Sequence, residues 1–223
     1  DVGAQLALGR FGMAKQTAEA FARAAEVGAK GKGLGRALGE YIENLPCPNA
    51  QSSVVAAAAR ANIPCTIHAA LGTDIVHMHP QVNGAHLGEA SILDFRQLCE
   101  VVFHMQEGLW LNIGSAVIMP EVFLKALAVA KNLGADLSGL VTANLDKEAK
   151  YRTKMNVLSR PSARGIECRC GRANSHHHDG HAGTRRVMRA RARSDPVQRL
   201  GLALNGRCAN TVALRRAPKC ACG

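Results

Sequence analysis

The chain has 223 residues, of which 47% are hydrophobic, so it is long enough for one domain or a tight pair with a buried core. It contains no run of eighteen apolar residues, and its first twenty residues carry charges within an amphipathic pattern. Neither a membrane span nor a signal peptide fits this pattern, so we expect a cytoplasmic protein without a membrane partner.

The net charge of +11 is unevenly distributed along the chain. Residues 1–163 carry fifteen basic and fourteen acidic side chains, whereas residues 164–223 carry thirteen basic and three acidic ones. Because nearly all the excess lies at one end, the main part of the chain lacks the basic surface that nucleic-acid binding requires. Nucleic acid is therefore not expected as its partner, and only the basic end is left as a candidate RNA-binding arm.

Residues 162–223 form a basic tail without any Phe, Tyr or Trp, rich in Arg, Ala, Gly and Cys. A segment without aromatic side chains does not readily fill a core. The same mixture of residues results when GC-rich DNA is read in a wrong frame. We therefore predict that the tail is disordered or arises from a frameshift near residues 162–165. Its CxC pairs and histidine run lack the ligand spacing of zinc modules, so no metal site is predicted.

Residues 1–62 are predicted to be a helical segment of the same domain as the residues that follow. Residues 14–27 are rich in alanine and predict a helix, and a further helix is predicted to run through Tyr41. Asn49 is predicted to cap a third helix over residues 50–61. Since the chain starts without a methionine, we also expect further residues upstream.

Four glycines between residues 28 and 35 separate the first two predicted helices. Their composition is similar to that of a phosphate-binding loop. However, no strand precedes them and no Gly-Lys-Ser/Thr ending follows. The sequence therefore favours a solvated loop between two helices over a phosphate site.

Residues 63–161 are predicted to be the α/β part of the domain, because strand and helix patterns alternate along them. Strands are predicted at residues 63–69, 109–113, 137–142 and 155–158. A helix capped by Ser91 is predicted to run to Met105, and a second helix over residues 121–133 ends at Gly134. This alternation predicts an open parallel sheet covered by helices.

In open α/β sheets, ligands bind beyond the carboxyl ends of the strands, where helix N-termini and backbone N–H groups create a positive field. Three loops of this chain are predicted to meet there. Glycine lets the backbone approach a phosphate or ribose, and hydroxyl groups add hydrogen bonds. The glycine and hydroxyl residues of these loops are Gly72, Thr73, Gly114, Ser115 and Thr142. Asp74 is a candidate for binding a ribose hydroxyl or a substrate ammonium group.

Each of these residues also has an ordinary structural explanation, because glycine often only forms a turn and aspartate often only caps a helix. His77 and His79 can act as metal ligands or as acid-base groups. No third ligand is evident nearby, so contact of His77 with a substrate or cofactor is favoured over a metal site. No GxGxxG follows any of the strands, so a nucleotide must be bound differently from the usual dinucleotide fingerprint.

Four blocks of the sequence resemble the deoxyhypusine synthase family, in particular its bacterial deoxyhypusine-synthase-like branch. The blocks are IPCTIHAALGTDIVHMHP, LGEASILDFRQLCEVV, LNIGSAVIMPEVFLKALAVAKNLG and GLVTANLDKEAKYRTKMNVLSRP. The resemblance spans roughly residues 1–161. It implies a Rossmann-like, doubly wound parallel sheet that binds NAD, of which this chain holds a part. It also implies a homotetramer with sites at a dimer interface.

The resemblance implies a reaction as well. In the family, spermidine is oxidised by NAD, and its aminobutyl group passes through an imine on an enzyme lysine to a lysine of the hypusine-bearing translation factor. Asp74 and Asp146 match positions that offer carboxylates to the polyamine. The positions that match the loops around the cofactor are Gly114, Ser115, Thr142 and Ala143.

Two departures from the established enzymes leave a second function open. Their Trp-Gly-Lys segment, which carries the nucleophilic lysine, has no counterpart after Asp146. Met119, Pro120 and Glu121 stand where those enzymes carry histidines. The sequence therefore assigns no catalytic residue. It predicts a deoxyhypusine-synthase-like, NAD-dependent transferase acting on a polyamine or related amine, or alternatively a noncatalytic NAD-binding paralogue.

Overall fold

One long helix, α5 (Gly84–Phe103), contacts both a layer of helices and the helix that covers the sheet. The Asn83 side chain caps α5 by accepting hydrogen bonds from the N–H groups of Ala85 and His86, at 2.8 and 3.3 Å. The predicted start at Ser91 is therefore wrong, because this earlier cap already satisfies the first turn. The fold is described from a computed structural model, which covers residues 1–46, 48–148, 150–161, 164–169 and 212–214.

The first layer is helical, as predicted. Its helices are α1 (Val2–Ala7), α2 (Lys15–Val27), α3 (Leu34–Glu43) and α4 (Val54–Arg60). Helix α3 packs against α2, α4 and α5. Helix α4 begins later than predicted because Ser53 caps it in place of Asn49, and the Ser53 hydroxyl accepts a hydrogen bond from Ala56 N–H at 3.2 Å.

The glycine-rich residues 28–35, at the end of α2 and the start of α3, are buried at three of their glycines, so the predicted solvated loop is wrong there. Gly28, Gly33 and Gly35 are all buried. A Cβ on Gly33 would lie 2.0 Å from Asp94 Oδ1, and a Cβ on Gly35 would lie 1.9 Å from the carbonyl oxygen of Cys65. Gly33 also has φ of +78°, which other residues rarely adopt. These glycines allow α3 to approach its neighbours closely.

Residues 63–69 do not form a strand, contrary to the prediction. Their backbone donates hydrogen bonds to side chains of α5, from Ile67 N–H to Asp94 Oδ2 at 2.7 Å and from Ala69 N–H to Ser91 Oγ at 3.2 Å. Within the described ranges, no strand of the sheet pairs with this segment. Its apolar pattern reflects packing against the helical layer, where Ile67 and Ala69 join the core.

The sheet has four strands in the order β3-β2-β1-β4. They are β1 (Leu109–Ile113), β2 (Val141–Asp146), β3 (Gly165–Arg169) and β4 (Val212–Leu214). The first three run parallel, and β4 pairs antiparallel with β1. The prediction for β1 is confirmed at both ends.

Two other strand predictions are wrong in position or in type. Strand β2 starts later than predicted because residues 137–140 form a turn, in which Leu140 N–H donates to the Leu137 carbonyl and Gly139 has φ of +73°. Residues 155–158 belong to a wide helical turn, Lys154–Ser159, which continues the short helix α7 (Tyr151–Thr153). The apolar side chains there pack against the sheet core without entering the sheet.

Strands β3 and β4 lie within residues 162–223, the segment whose composition predicted disorder or a frameshift. Strand β3 pairs with the whole length of β2 except Val141, from Gly165 opposite Thr142 to Arg169 opposite Asp146. Apart from Arg164, the remaining tail residues lie outside the described ranges, as do the predicted disorder and the predicted frameshift.

The core beside the sheet centres on Trp110 of β1. Its ring stacks on Phe123 of α6 (Ile118–Asn132), with centroids 4.0 Å apart and planes 12° apart. Gly134, with φ of +87°, follows the end of α6 as predicted. The cluster is completed by Leu98, Val102, Met105, Ala126, Leu127, Ala130, Leu140 and Val157. The fold is thus mixed α/β, with three parallel strands and covering helices. Among the described residues, no helix is both long and apolar enough to cross a bilayer.

Asp94 joins α5 to two other segments of the chain. Its side chain is buried, and Oδ2 accepts hydrogen bonds from Gly35 N–H at 2.8 Å and from Ile67 N–H at 2.7 Å. Burial raises the pKa of this carboxyl to about 6, against the lowering effect of the N–H groups of Ile67, Gly35 and Leu34. The ordinary value is 3.8, so folding shifts the titration of Asp94 upward.

We predict that Gly35→Ala lowers the free energy of unfolding by about 2 kcal/mol or more, because the added methyl group meets the Cys65 carbonyl. Gly88→Ala in α5 is the matched control. Its Cβ would meet nothing within 4 Å, so the better helix propensity should raise stability by about 0.5–1 kcal/mol. Urea denaturation measures both values, and equal effects of the two substitutions would contradict the close approach of α3.

Asp94→Asn is predicted to remove a pH-dependent part of the stability. Because the folded pKa lies above the unfolded one, the contribution of Asp94 is fully present below about pH 4 and is lost as pH rises through about 6. Asn keeps an acceptor oxygen but cannot ionise. The difference in unfolding free energy between wild type and Asp94→Asn should therefore change between pH 4 and 6.

Asp94→Ala serves as the second variant. It should cost about 3 kcal/mol at pH 4, because two backbone N–H groups lose their acceptor, and less above pH 6, because alanine does not ionise either. A wild-type minus Asp94→Asn difference that stays constant across this pH range would show that Asp94 does not titrate there.

Candidate functional site

The loop after β1 meets the last residues of β2 at the carboxyl edge of the parallel strands. Gly114 N–H donates a hydrogen bond to the carbonyl of Leu145 at 2.9 Å, directly beyond the pair formed by Ile113 and Leu145. Gly114 is exposed and has φ of +66°. The loop after β1 therefore begins with a glycine in the left-handed conformation and lies beside the last residues of β2.

A pair of buried asparagines supports this edge, and the sequence analysis did not single them out. Asn112 and Asn144 stand opposite each other in β1 and β2, and both are almost completely buried. Asn112 Nδ2 donates to Asn144 Oδ1 at 2.7 Å and to the Ser115 carbonyl at 2.9 Å. The amide thus ties the loop after β1 to β2. The only signal in the sequence was a polar residue at the same register of two apolar strands.

Ser115 is engaged by the protein itself. Its hydroxyl oxygen accepts a hydrogen bond from Met119 N–H at 3.1 Å, in the first turn of α6. The same contact explains why α6 begins before Glu121, where the sequence predicted its start. The hydroxyl hydrogen of Ser115 keeps its donor capacity, and the N-terminus of a fifteen-residue helix lies directly behind the loop.

Thr142 and Ala143 do not lie in a loop, so this part of the site prediction is wrong in placement. They are the second and third residues of β2 and pair with Trp110 and Leu111. Both are buried, and within the described residues Thr142 Oγ1 has no hydrogen-bond partner. The late start of β2 is the reason, since it moves these residues from the end of a strand to its beginning. Their role in cofactor binding stays a prediction.

The first predicted loop is held by hydrogen bonds within itself. Ala70 N–H donates to Asp74 Oδ2 at 2.8 Å, and Thr73 Oγ1 donates to the Ala70 carbonyl at 2.8 Å. Gly72 N–H donates to Nδ1 of His77 at 3.1 Å, and Gly72 has φ of +88°. No hydrogen bond among the described residues links this loop to Gly114, so the convergence of all three loops stays a prediction.

The histidines of that loop face different surroundings. Because Nδ1 of His77 accepts a hydrogen bond, its ring hydrogen lies on Nε2, which is buried without a partner in the described part of the chain. His79 accepts a hydrogen bond from Gln81 N–H at 3.3 Å. Among the described residues, no group of three His, Cys, Asp or Glu side chains is placed to hold a metal ion.

A charged network lies between α6 and α7. Glu121 Oε1 accepts hydrogen bonds from Arg152 Nε at 3.1 Å and from Asn156 Nδ2 at 2.9 Å, and Asn156 Oδ1 accepts one from Arg160 at 2.7 Å. Hydrogen bonding from Lys125, followed by the charges of Lys125 and Arg152, lowers the pKa of Glu121 and keeps it ionised. The network fixes α7 against α6, and its members other than Glu121 were not predicted.

Asp146, the last residue of β2, has a half-buried side chain at the carboxyl edge. Its Oδ1 accepts a hydrogen bond from Lys147 N–H at 2.6 Å. Lys150 follows in the same connection and forms an ion pair with Glu148. Lys150 donates a hydrogen bond to Glu148, and this bond and the charge of Glu148 raise the pKa of Lys150. Its amine therefore stays protonated, whereas imine formation needs a neutral lysine.

The edge therefore combines an exposed glycine loop, a helix N-terminus and the carboxylate of Asp146. Such a combination can hold a phosphate or ribose beside a cationic group. No family model, no curated protein and no solved structure matches the chain. The functional proposal therefore rests on the geometry of the described residues together with the sequence resemblance.

Proposed function

We propose that the chain belongs to a deoxyhypusine-synthase-like enzyme with a Rossmann-like, doubly wound fold that binds NAD at the carboxyl edge of β1 and β2. The observation that carries the proposal is the hydrogen bond from Gly114 to Leu145. This bond holds an exposed, left-handed glycine at the end of two parallel strands, in front of the N-terminus of α6. Nucleotides bind at this kind of position in open α/β sheets.

The proposed substrate is spermidine or a related amine, whose aminobutyl group is transferred to a lysine of a translation factor. Asp146 supports this part of the proposal, because its carboxylate lies at the same edge as Gly114 and can pair with an ammonium group. Gly72, Thr73 and His77 enter the proposal as residues of a loop predicted at the strand ends, whereas Asp74 enters it through the resemblance. Thr142, Ala143 and the homotetramer also enter it through the resemblance, and the cytoplasmic location is the expectation from the sequence pattern.

A second candidate function is a noncatalytic NAD-binding protein with the same fold. It is favoured by Lys150, whose ion pair with Glu148 stabilises the protonated amine. A lysine that forms an imine needs the opposite surroundings, namely burial or a neighbouring cation that lowers its pKa.

Both functions predict NAD binding at Gly114. Gly114→Ala places a side chain at φ of +66° and should raise the Kd for NAD about tenfold. Gly134→Ala is the matched control, because Gly134 has φ of +87° at the opposite end of α6 and its Cβ would meet nothing within 4 Å. Titration calorimetry measures the affinities. Equal affinities of the two variants would place NAD elsewhere, and no binding by wild type would contradict both functions.

Formation of NADH separates the two functions. If the chain belongs to an enzyme, adding spermidine to protein and NAD should produce NADH, since oxidation of the polyamine precedes imine formation on a lysine. Asp146→Asn should lower kcat/KM for spermidine about tenfold without changing the Kd for NAD. Asp136→Asn, at the opposite end of the sheet, is the control. Binding of NAD without any NADH would favour the noncatalytic protein.

A further inference from the structure

Three buried polar atoms without a hydrogen-bond partner lie on one face of the sheet. They are Nε1 of Trp110, Oδ1 of Asn112 and Oγ1 of Thr142, and none of these residues is more than 1% exposed. In the described part of the chain, five buried side-chain atoms form no hydrogen bond, and the other two belong to His77 and Asp94. Because three of the five occur together, we look for a single group that satisfies all three.

The register of the sheet brings these three side chains close to one another. Trp110 of β1 pairs with Thr142 of β2, and Asn112 follows Trp110 by two positions on the same strand. Side chains of paired residues, and side chains two positions apart on a strand, point to the same side of a sheet, with Cβ atoms about 5–8 Å apart. That side is the one covered by α6, because the Trp110 ring stacks on Phe123.

Neighbouring protein groups do not satisfy these atoms. The planes of the Trp110 and Phe123 rings are only 12° apart, so the indole N–H lies in its own ring plane and does not point at the Phe123 ring. The amide nitrogen of Asn112 donates to Asn144 Oδ1 and to the Ser115 carbonyl. Since a carbonyl only accepts hydrogen bonds, these contacts fix Oδ1 of Asn112 as the unpaired atom of the amide.

We infer that one buried water molecule bridges the three atoms. The indole N–H of Trp110 donates to the water oxygen, and the two water hydrogens are donated to Oδ1 of Asn112 and to Oγ1 of Thr142. Buried water molecules typically form about three hydrogen bonds, to polar groups that have no other partner. Each of the three atoms thus regains a hydrogen bond in place of those it loses on leaving bulk water.

The pattern of donors and acceptors selects water over an ion. The indole N–H can only donate, the Asn112 oxygen can only accept, and the Thr142 hydroxyl can do either. A cation would face the hydrogen of the indole N–H, and an anion would face the partial negative charge of the Asn112 oxygen. An ion would also be buried among these residues without an opposite charge. A water molecule both accepts and donates, so it matches all three groups.

The water extends a chain of hydrogen bonds that reaches the carboxyl edge. Asn112 connects Asn144 with the Ser115 carbonyl in the loop after β1. With the water, Thr142 joins this chain from the core beneath α6. The inference does not rest on the proposed function, since neither NAD nor an amine takes part in it.

The indole N–H of Trp110 reports on the water directly, because the chain contains only one tryptophan. In nitrogen-15 NMR of the full chain without NAD, we expect nuclear and rotating-frame Overhauser effects of opposite sign between this N–H and water, as for a water molecule held in the protein. Thr142→Val removes the hydroxyl at nearly the same volume and should abolish both effects. Thr142→Ser keeps the hydroxyl and should retain them.

Thr153→Val is the matched control. It removes another fully buried hydroxyl, but one that already donates to the Lys150 carbonyl at 2.8 Å, so the signals between the indole N–H and water should not change. Loss of these signals in Thr153→Val to the same extent as in Thr142→Val would show a general loosening of the core and would overturn the inference.

Oxygen-17 relaxation dispersion of the solvent provides a second measurement, because it counts long-lived buried water molecules without relying on any protein signal. Its amplitude should fall by the share of one water molecule in Thr142→Val and should equal that of wild type in Thr142→Ser and Thr153→Val. An equal amplitude in wild type and Thr142→Val would contradict the bridging water. Absence of the Overhauser effects in wild type would do so as well, even if a variant fails to fold.

Discussion

The carboxylate of Asp94 is the constraint on which the arrangement of the helical layer depends. It is buried on α5 and accepts hydrogen bonds from the start of α3 and from residues 63–69. A buried carboxylate is costly unless donors surround it, so these backbone N–H groups must stay within hydrogen-bonding distance. That requirement leaves no room for a side chain at Gly33. The Asp94 carboxylate also accepts a hydrogen bond from residues 63–69, whose backbone would otherwise bond to a neighbouring strand.

Helix α5 transmits this arrangement to the rest of the molecule. Its first half packs on α2 and α3, with Leu87 and Ala90 in their core, whereas Leu98 and Val102 of its second half pack with Trp110 and Phe123. A single helix thus joins two hydrophobic clusters. Its length follows from the Asn83 cap, which adds two turns before Ser91.

At the carboxyl edge, hydrogen-bonded polar side chains determine where the loop after β1 and helix α7 lie. The Asn112–Asn144 pair fixes the loop that contains Gly114 and Ser115, and the Glu121–Arg152 network fixes α7 beside it. The sequence predicts that Gly114 and residues 142–146 lie at one edge of a parallel sheet; in the structure Gly114 bonds to Leu145 there, whereas Thr142 and Ala143 lie at the start of β2. The sequence analysis could not identify the asparagine pair, because a buried amide and a solvated one look alike in a sequence. Lys150 was likewise only one of several lysines until its pairing with Glu148 appeared.

The sequence by itself determined β1, the helices with strong local signals and the mixed α/β class. These depend on periodicity and on turn residues such as Gly134, which act over a few positions. Tertiary structure alone decided that residues 63–69 are not a strand, that Thr142 lies inside β2, and that Gly33 and Gly35 are buried. The backbone N–H groups of an apolar, β-branched run donate hydrogen bonds to whichever acceptors lie nearby. Here those acceptors are side chains of α5, more than twenty residues later in the sequence. Such long-range hydrogen bonds have no local signature.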